Sequence, residues 1–144
     1  MRWILSLFIL LLITTPALAL EDVTPPAVTA LTFPAGPYNC AMAMQPITFN
    51  FTITDADAGF DHAYFYLASP TATQKYHVYM NSTHRTSGTA QNGTYQVTAK
   101  QPQFSAVGWW RIESIRLLDV ANNTRTLLEA DLAASGITTT YQVQ

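Results

Sequence analysis

From Ile47 to Thr54 apolar and polar residues alternate without a break, with Ile47, Phe49, Phe51 and Ile53 set against Thr48, Asn50, Thr52 and Thr54. A period of two puts successive side chains on opposite faces of an extended chain, so this segment is predicted to be a strand with one buried face. Phe60 to Ala68 repeats the pattern, with Ala63, Phe65 and Leu67 on one side and His62, Tyr64 and Tyr66 on the other. Shorter runs predict strands at Ala27 to Phe33, Lys75 to Met80, Thr94 to Ala99, Thr124 to Leu128 and Ile137 to Val143. Between Trp109 and Leu118 the inward set changes phase, from Trp110 and Ile112 to Ile115 and Leu117. A one-residue slip inside a strand is what a β-bulge produces.

Breakers separate these runs. Pro34 to Pro37 ends the first strand, Asp55 to Gly59 and Asp119 to Asn123 form two short acidic turns, and Asn81 to Gln91 is a polar connection. Asn92-Gly93 offers the positive φ angles of a hairpin turn. Glu129 to Ser135 reads as one helical turn stopped by Gly136. Short strands, Gly/Pro punctuation and no amphipathic helix of ordinary length predict an all-β fold, an antiparallel β-sandwich of about seven to nine strands.

The N-terminus changes the picture of where the chain resides. Met1-Arg2-Trp3 carries a positive charge, Ile4 to Ile13 is apolar apart from Ser6, and Pro16-Ala17-Leu18-Ala19 ends in a small-x-small pattern. This is the organisation of a cleaved signal peptide, residues 1–19. A spanning helix needs roughly 20 apolar residues, and Thr14, Thr15 and Pro16 interrupt this run. The expected mature chain is secreted, periplasmic or attached to the cell surface. Residues 20–26, with Thr24-Pro25-Pro26, read as a stiff entry linker, and residues 27–144 as one sandwich domain.

Without Arg2, six Lys and Arg face nine Asp and Glu, a net charge of −3 with no basic cluster. Nucleic-acid binding, which rests on phosphate neutralisation, is therefore not expected. Cys40 is the single cysteine, so no intrachain disulfide can form. Its neighbours Ala41, Met42 and Met44 favour a buried side chain over a reactive thiol, since no cation lies close in sequence to stabilise a thiolate.

Taken in order, several stretches resemble the immunoglobulin-like domains of bacterial cell-surface and secreted proteins. Asp22-Val23-Thr24-Pro25-Pro26 resembles their inter-domain opening, Thr54-Asp55 through Gly59 their acidic turn, and Gly93-Thr94-Tyr95 their central hairpin. Gly108-Trp109-Trp110-Arg111-Ile112, then Leu118-Asp119 and Asn122-Asn123-Thr124, is similar to their "G-x-W … D-x-x-G-N" strand and turn, with Asn122 where those domains carry Gly. Asn also tolerates the left-handed conformation of such a turn. The resemblance implies an immunoglobulin-like sandwich with the entry segment and both acidic turns at one end.

In that topology Asp22, Asp55, Asp57, Asp119 and Asn122 converge. Calcium takes six to eight oxygen ligands, and the resemblance to calcium-dependent sandwiches such as cadherins makes these residues a candidate calcium site. Their other reading is that Asp and Asn cap tight turns with their own side chains. An EF-hand is excluded, because Phe60 stands where the loop needs Gly and Tyr66 where it needs Glu.

A second candidate is the outward stripe of His62, Tyr64 and Tyr66, joined by Trp109, Arg111 and Glu113 of a strand expected beside it. Aromatic faces next to hydrogen-bonding groups suit sugar or peptide recognition, and the same residues also serve as cross-strand pairs that cover a sheet. His62, His77 and His84 lack the helical pairing or cysteine partners of a zinc site. Neither G-x-S-x-G, H-E-x-x-H nor a glycine-rich phosphate loop occurs. Asn50, Asn81, Asn92 and Asn122 head Asn-x-Ser/Thr sequons, which matter only in a eukaryotic export route.

The functional expectation is a non-catalytic binding or adhesion module whose partner is a protein or glycan at the cell surface, with calcium rigidifying its entry end. The alternatives are a carbohydrate-binding module using the Tyr/Trp stripe and a hydrolase whose groups converge from distant strands.

Overall fold

The computed structural model describes residues 21–144, so the leader expected at residues 1–19 lies outside the described residues. In chain order the strands are β1 (Ala27–Thr32), β2 (Gln45–Thr54), β3 (Phe60–Ala68), β4 (Lys75–Asn81), β5 (Arg85–Gly88), β6 (Asn92–Gln101), β7 (Gly108–Asp119), β8 (Thr124–Leu128) and β9 (Thr140–Val143). A 3-10 turn, Ser82–His84, precedes β5, and the helix α1 (Glu129–Ala134) separates β8 from β9. Two antiparallel sheets result. Sheet I has the order β1-β2-β6-β5, and sheet II the order β4-β3-β7-β8 with β9 also on β7. β8 covers Ser114 to Leu118 of β7 and β9 covers Gly108 to Arg111, so the two short strands lie end to end along one edge of the longest strand.

The predicted alternation decides what faces inward. Ile47, Phe49, Phe51 and Ile53 of β2 and Tyr95, Val97 and Ala99 of β6 are buried from sheet I, and Ala63, Phe65, Leu67, Trp110, Ile112, Ile115 and Leu117 from sheet II. The two sets meet between the sheets. Ring centroids lie 5.0 Å apart for Phe49 and Phe65, 5.3 Å for Phe51 and Phe65, and 4.7 Å for Phe60 and Tyr95. Truncating a buried phenylalanine of this kind to alanine costs about 3–5 kcal/mol, so these rings hold the layers together.

The phase change in β7 is a bulge. Tyr66 pairs with Ser114 and Leu67 with Ile112, which leaves Glu113 opposite no residue of β3. The extra residue lets Trp110 and Ile112 face the same core as Ile115 and Leu117.

Three local expectations are corrected. The stretch Asn81 to Gln91 holds β5, whose four residues are all exposed. No apolar side chain marks it in sequence, because it is an edge strand held by backbone pairing to β6 and by the Thr86 hydroxyl, which donates to the Thr94 carbonyl. The hairpin turn is not at Asn92-Gly93, which already lie in β6 opposite Thr54 and Ile53. It is at Thr89 to Gln91, after Gly88 takes φ +77°. Ladder pairing with the central strand β2 outweighs the local turn preference of an Asn-Gly pair. The last strand is also shorter than expected, starting at Thr140.

Cys40 is buried, as its neighbours implied, and burial pushes its thiol pKa up. It lies at the pole that holds Phe104 and the C-terminal Gln144, both backbone-bonded to it.

Candidate functional site

The opposite pole gathers the acidic turns. β1 begins there and β2 ends there, since Ala27 pairs with Thr54, while Phe60 pairs with Asp119 and Leu118 with Thr124. Backbone bonds fasten this end: Asp55 N–H donates to the Gln91 carbonyl within sheet I, Val120 N–H to that of Gly59 within sheet II, and Phe60 N–H to that of Ala90 from one sheet to the other. The entry segment is drawn in as well. Ala58 N–H donates to Asp22 Oδ2 at 2.8 Å and Asn123 Nδ2 to the Asp22 carbonyl at 2.9 Å.

These bonds bring Asp22, Asp55 and Asp119 together, with one carboxylate oxygen from each inside 4.8 Å of the others. Asp55 and Asp119 are buried, and Asp22 is half-buried. The donors around them are chiefly backbone amides. Asp119 accepts from Asn123 N at 2.7 Å and Asn123 Nδ2 at 2.8 Å, Asp22 also accepts from Thr24 N, and Asp55 Oδ1 accepts from Asp57 N and Gly59 N. Asp55 Oδ2 is buried and has no partner. At an effective dielectric near 20, two unit charges at such a separation repel by on the order of 3 kcal/mol. Among the described residues none of the three is ion-paired to Lys, Arg or His. Arg125 lines the adjoining cavity of about 360 Å³ beside Asp55, Thr24 and Asn92.

Two residues expected in this cluster are outside it. Asp57 is exposed, and its backbone N–H rather than its carboxylate meets Asp55. Asn122 takes φ 68°, the left-handed conformation anticipated for it, and is exposed. The next residue, Asn123, turns its amide back into the site. A turn residue that supplies the positive φ points its own side chain away, and this is the cue that distinguishes the two asparagines.

The outward stripe on β3 forms and is wider than expected. His62, Tyr64 and Tyr66 meet Tyr79 and His77 of β4, with centroid separations of 5.1 Å for Tyr64–Tyr79, 5.6 Å for His62–Tyr64 and 5.8 Å for His62–Tyr79, Tyr64–His77 and Tyr66–His77. Tyr66 and Tyr79 are 38% and 43% exposed, so the pairing that covers the sheet leaves ring surface facing out. Arg116 of β7 stands opposite Tyr64 and is exposed. His77 and Tyr79 were open to prediction, because a hairpin from β3 to β4 sets them directly across from Tyr66 and Tyr64.

Trp109 and Arg111 are not part of this patch. β3 ends at Ala68, opposite Arg111, so Trp109 lies beyond it and pairs with Gln142 of β9. Arg111 Nη1 donates to the Ser69 carbonyl at 3.1 Å, and its Nε sits 3.3 Å from Glu129 Oε2. Glu113 holds Lys75 Nζ at 2.6 Å.

A separate polar network lies near the Cys40 pole. Gln101 is fully buried in an inward slot of β6, and its Oε1 accepts from Tyr76 Oη at 2.7 Å and Tyr141 Oη at 2.8 Å while Nε2 donates to Ser105 Oγ at 2.8 Å. Burial pushes the Tyr76 phenol up to about 12 and raises Tyr141 as well. A glutamine amid the apolar alternation of Tyr95, Val97 and Ala99 was the available signal.

No curated protein matches the chain. The model of the family described as "Domain of unknown function (DUF7035)" matches residues 21–143, a span that takes in all nine strands and the three converging aspartates, and the chain belongs to that family.

Proposed function

We propose that the protein is an exported, non-catalytic binding module of immunoglobulin-like build, working in adhesion at the cell surface through the outer face of sheet II. The observation that carries this reading is the patch of His62, Tyr64, Tyr66, His77 and Tyr79, five rings in mutual contact on two adjacent strands. Rings fixed by their neighbours lose little entropy on binding and offer flat apolar area beside phenol and imidazole hydrogen-bonding groups. Arg116 at the margin adds a charged donor. Such a surface fits the C–H face and hydroxyl rim of a saccharide, so the ligand class is a cell-surface glycan.

A glycan array probed with the wild type, Tyr66→Ala, Tyr79→Ala and Trp109→Ala tests the reading. Glycan binding that is lost in both tyrosine variants and kept in Trp109→Ala supports it. Binding that ignores both tyrosine substitutions, or adhesion of cells to the protein with no glycan dependence, refutes the face as the site.

A further inference from the structure

We propose that the acidic pole is a binding site for a hard divalent cation of the calcium class, with Asp22, Asp55 and Asp119 as its protein ligands. This goes beyond the glycan face and does not depend on it, since the two share no residue. Three observations meet here. Calcium–oxygen bonds are about 2.3–2.6 Å, so two ligands on opposite sides of one ion stand roughly 5 Å apart or less. The three carboxylate oxygens, all within 4.8 Å of one another, satisfy that limit without rearrangement of the backbone.

The second observation is the state of Asp55. The residue is only 3% exposed, Oδ1 is engaged by two backbone amides, and Oδ2 has no hydrogen-bond partner. A buried carboxylate oxygen without a partner is costly, and buried charges are ordinarily paired or bound to metal. A cation bridging the three carboxylates supplies the missing partner and offsets their mutual repulsion.

The third is the chemistry of the donors. All are carboxylate oxygens, with no thiolate or imidazole, which selects a hard ion over zinc or copper. They come from three separate segments, the entry segment, the turn after β2 and the end of β7. A small ion that demands near-ideal octahedral geometry is harder to satisfy this way than calcium, which tolerates irregular coordination. Water completes the shell on the side of the adjoining cavity. The backbone amides that fix each carboxylate act as positioning groups, and Asn123 links two of the three by donating to Asp119 and to the Asp22 carbonyl.

The experiment uses the mature chain stripped with chelator. Isothermal titration with calcium chloride should give one site per chain, with a Kd of about 10⁻⁴ to 10⁻³ M, the range of extracellular modules. At 100 times Kd the folded-to-unfolded ratio rises about a hundredfold, equivalent to a Tm increase of roughly 10 °C for a domain of this size, and chelator reverses it. Magnesium at the same concentration should give a smaller shift, and sodium at matched ionic strength almost none. Asp55→Asn keeps the Oδ1 acceptor and removes one charge, so it should fold with a Tm at or above that of the metal-free wild type and lose the calcium response. Three results overturn the proposal: no calcium heat and no Tm shift in the wild type, an equal shift with magnesium or sodium, or a calcium response retained in Asp55→Asn. Should Asp55→Asn not fold, Asp22→Asn carries the same comparison, because Asp22 is half-buried and at the domain margin.

Discussion

Replacing Gln101 with leucine should destabilise the protein by about 3 kcal/mol, and about 1 kcal/mol of that loss should be recoverable by a second substitution that removes a further hydrogen-bonding group. Gln101 makes three side-chain hydrogen bonds from a fully buried position: it accepts from Tyr76 and Tyr141 and donates to Ser105. Each neutral bond contributes about 1 kcal/mol net, but a buried group left without a partner costs about 1–3 kcal/mol. The three partners differ in what they can do afterwards. Ser105 Oγ still donates to the Pro102 carbonyl at 2.7 Å. Tyr76 and Ser105 line a surface cavity of about 280 Å³, from which water can replace the lost acceptor. Tyr141 is fully buried, so its hydroxyl is stranded.

Tyr141→Phe alone removes one bond of a shared acceptor and should cost about 1 kcal/mol. Independent effects would put the double variant near 4 kcal/mol below the wild type. Because Phe has no hydroxyl to strand, the double variant should instead be about 1 kcal/mol more stable than Gln101→Leu. Urea unfolding followed by the fluorescence of the buried Trp110 measures all four proteins, with the slope m held as the check on two-state behaviour. A double variant no more stable than Gln101→Leu would refute the view that the stranded Tyr141 hydroxyl dominates the cost.

The same network sets an alkaline limit. Unfolded tyrosine titrates near 10, whereas burial holds Tyr76 up to about 12 and raises Tyr141 too. Below pH 10 both states keep the protons and stability is undiminished; from pH 10 to 12 the unfolded state loses them first, and stability falls by about 1.4 kcal/mol per pH unit for each tyrosine. Tyrosinate absorbance should therefore appear for these two only as the fold is lost, and their ionisation in the native protein would contradict the assignment. Deleting Glu113, the unpaired residue of the β7 bulge, makes Ile112 and Ser114 consecutive opposite Leu67 and Tyr66 and keeps Trp110, Ile112, Ile115 and Leu117 on the core face, so the variant should still unfold cooperatively in urea. Glu113→Ala loses only an exposed ion pair with Lys75 and should cost no more than about 1 kcal/mol by the same urea assay. A deletion variant that loses cooperative unfolding would refute this reading of the bulge.

Periodicity made most of the fold legible because burial and alternation are the same fact seen from two sides. Phe49 and Phe51 announce β2, and the slip from Ile112 to Ile115 announces the bulge. Where a strand buries nothing the signal vanishes, and Arg85 to Gly88 reads as loop because an edge strand needs only backbone donors and acceptors. Asn92-Gly93 misleads for the converse reason: a strong local turn preference is overridden by ten consecutive pairs between β2 and β6. At the acidic pole, turn chemistry identified Asp55 and Asp119, and the entry motif identified Asp22. It did not separate Asn122, which supplies the left-handed turn, from Asn123, which supplies the amide. On sheet II the strand order was needed before Trp109 could be seen to lie past the end of β3 and Tyr79 to lie across from Tyr64.

The described chain enters at the pole of Asp22 and leaves at the pole of Gly108 and Tyr38, where Val143 and Gln144 are bound. Tension between these two ends would draw β1 and β9 lengthwise in opposite directions. The hydrogen bonds of an antiparallel pair run perpendicular to its strands, so each ladder is loaded in shear, all its bonds at once, and is not opened one bond at a time. A domain built this way resists stretching along its long axis at both of its attachment strands.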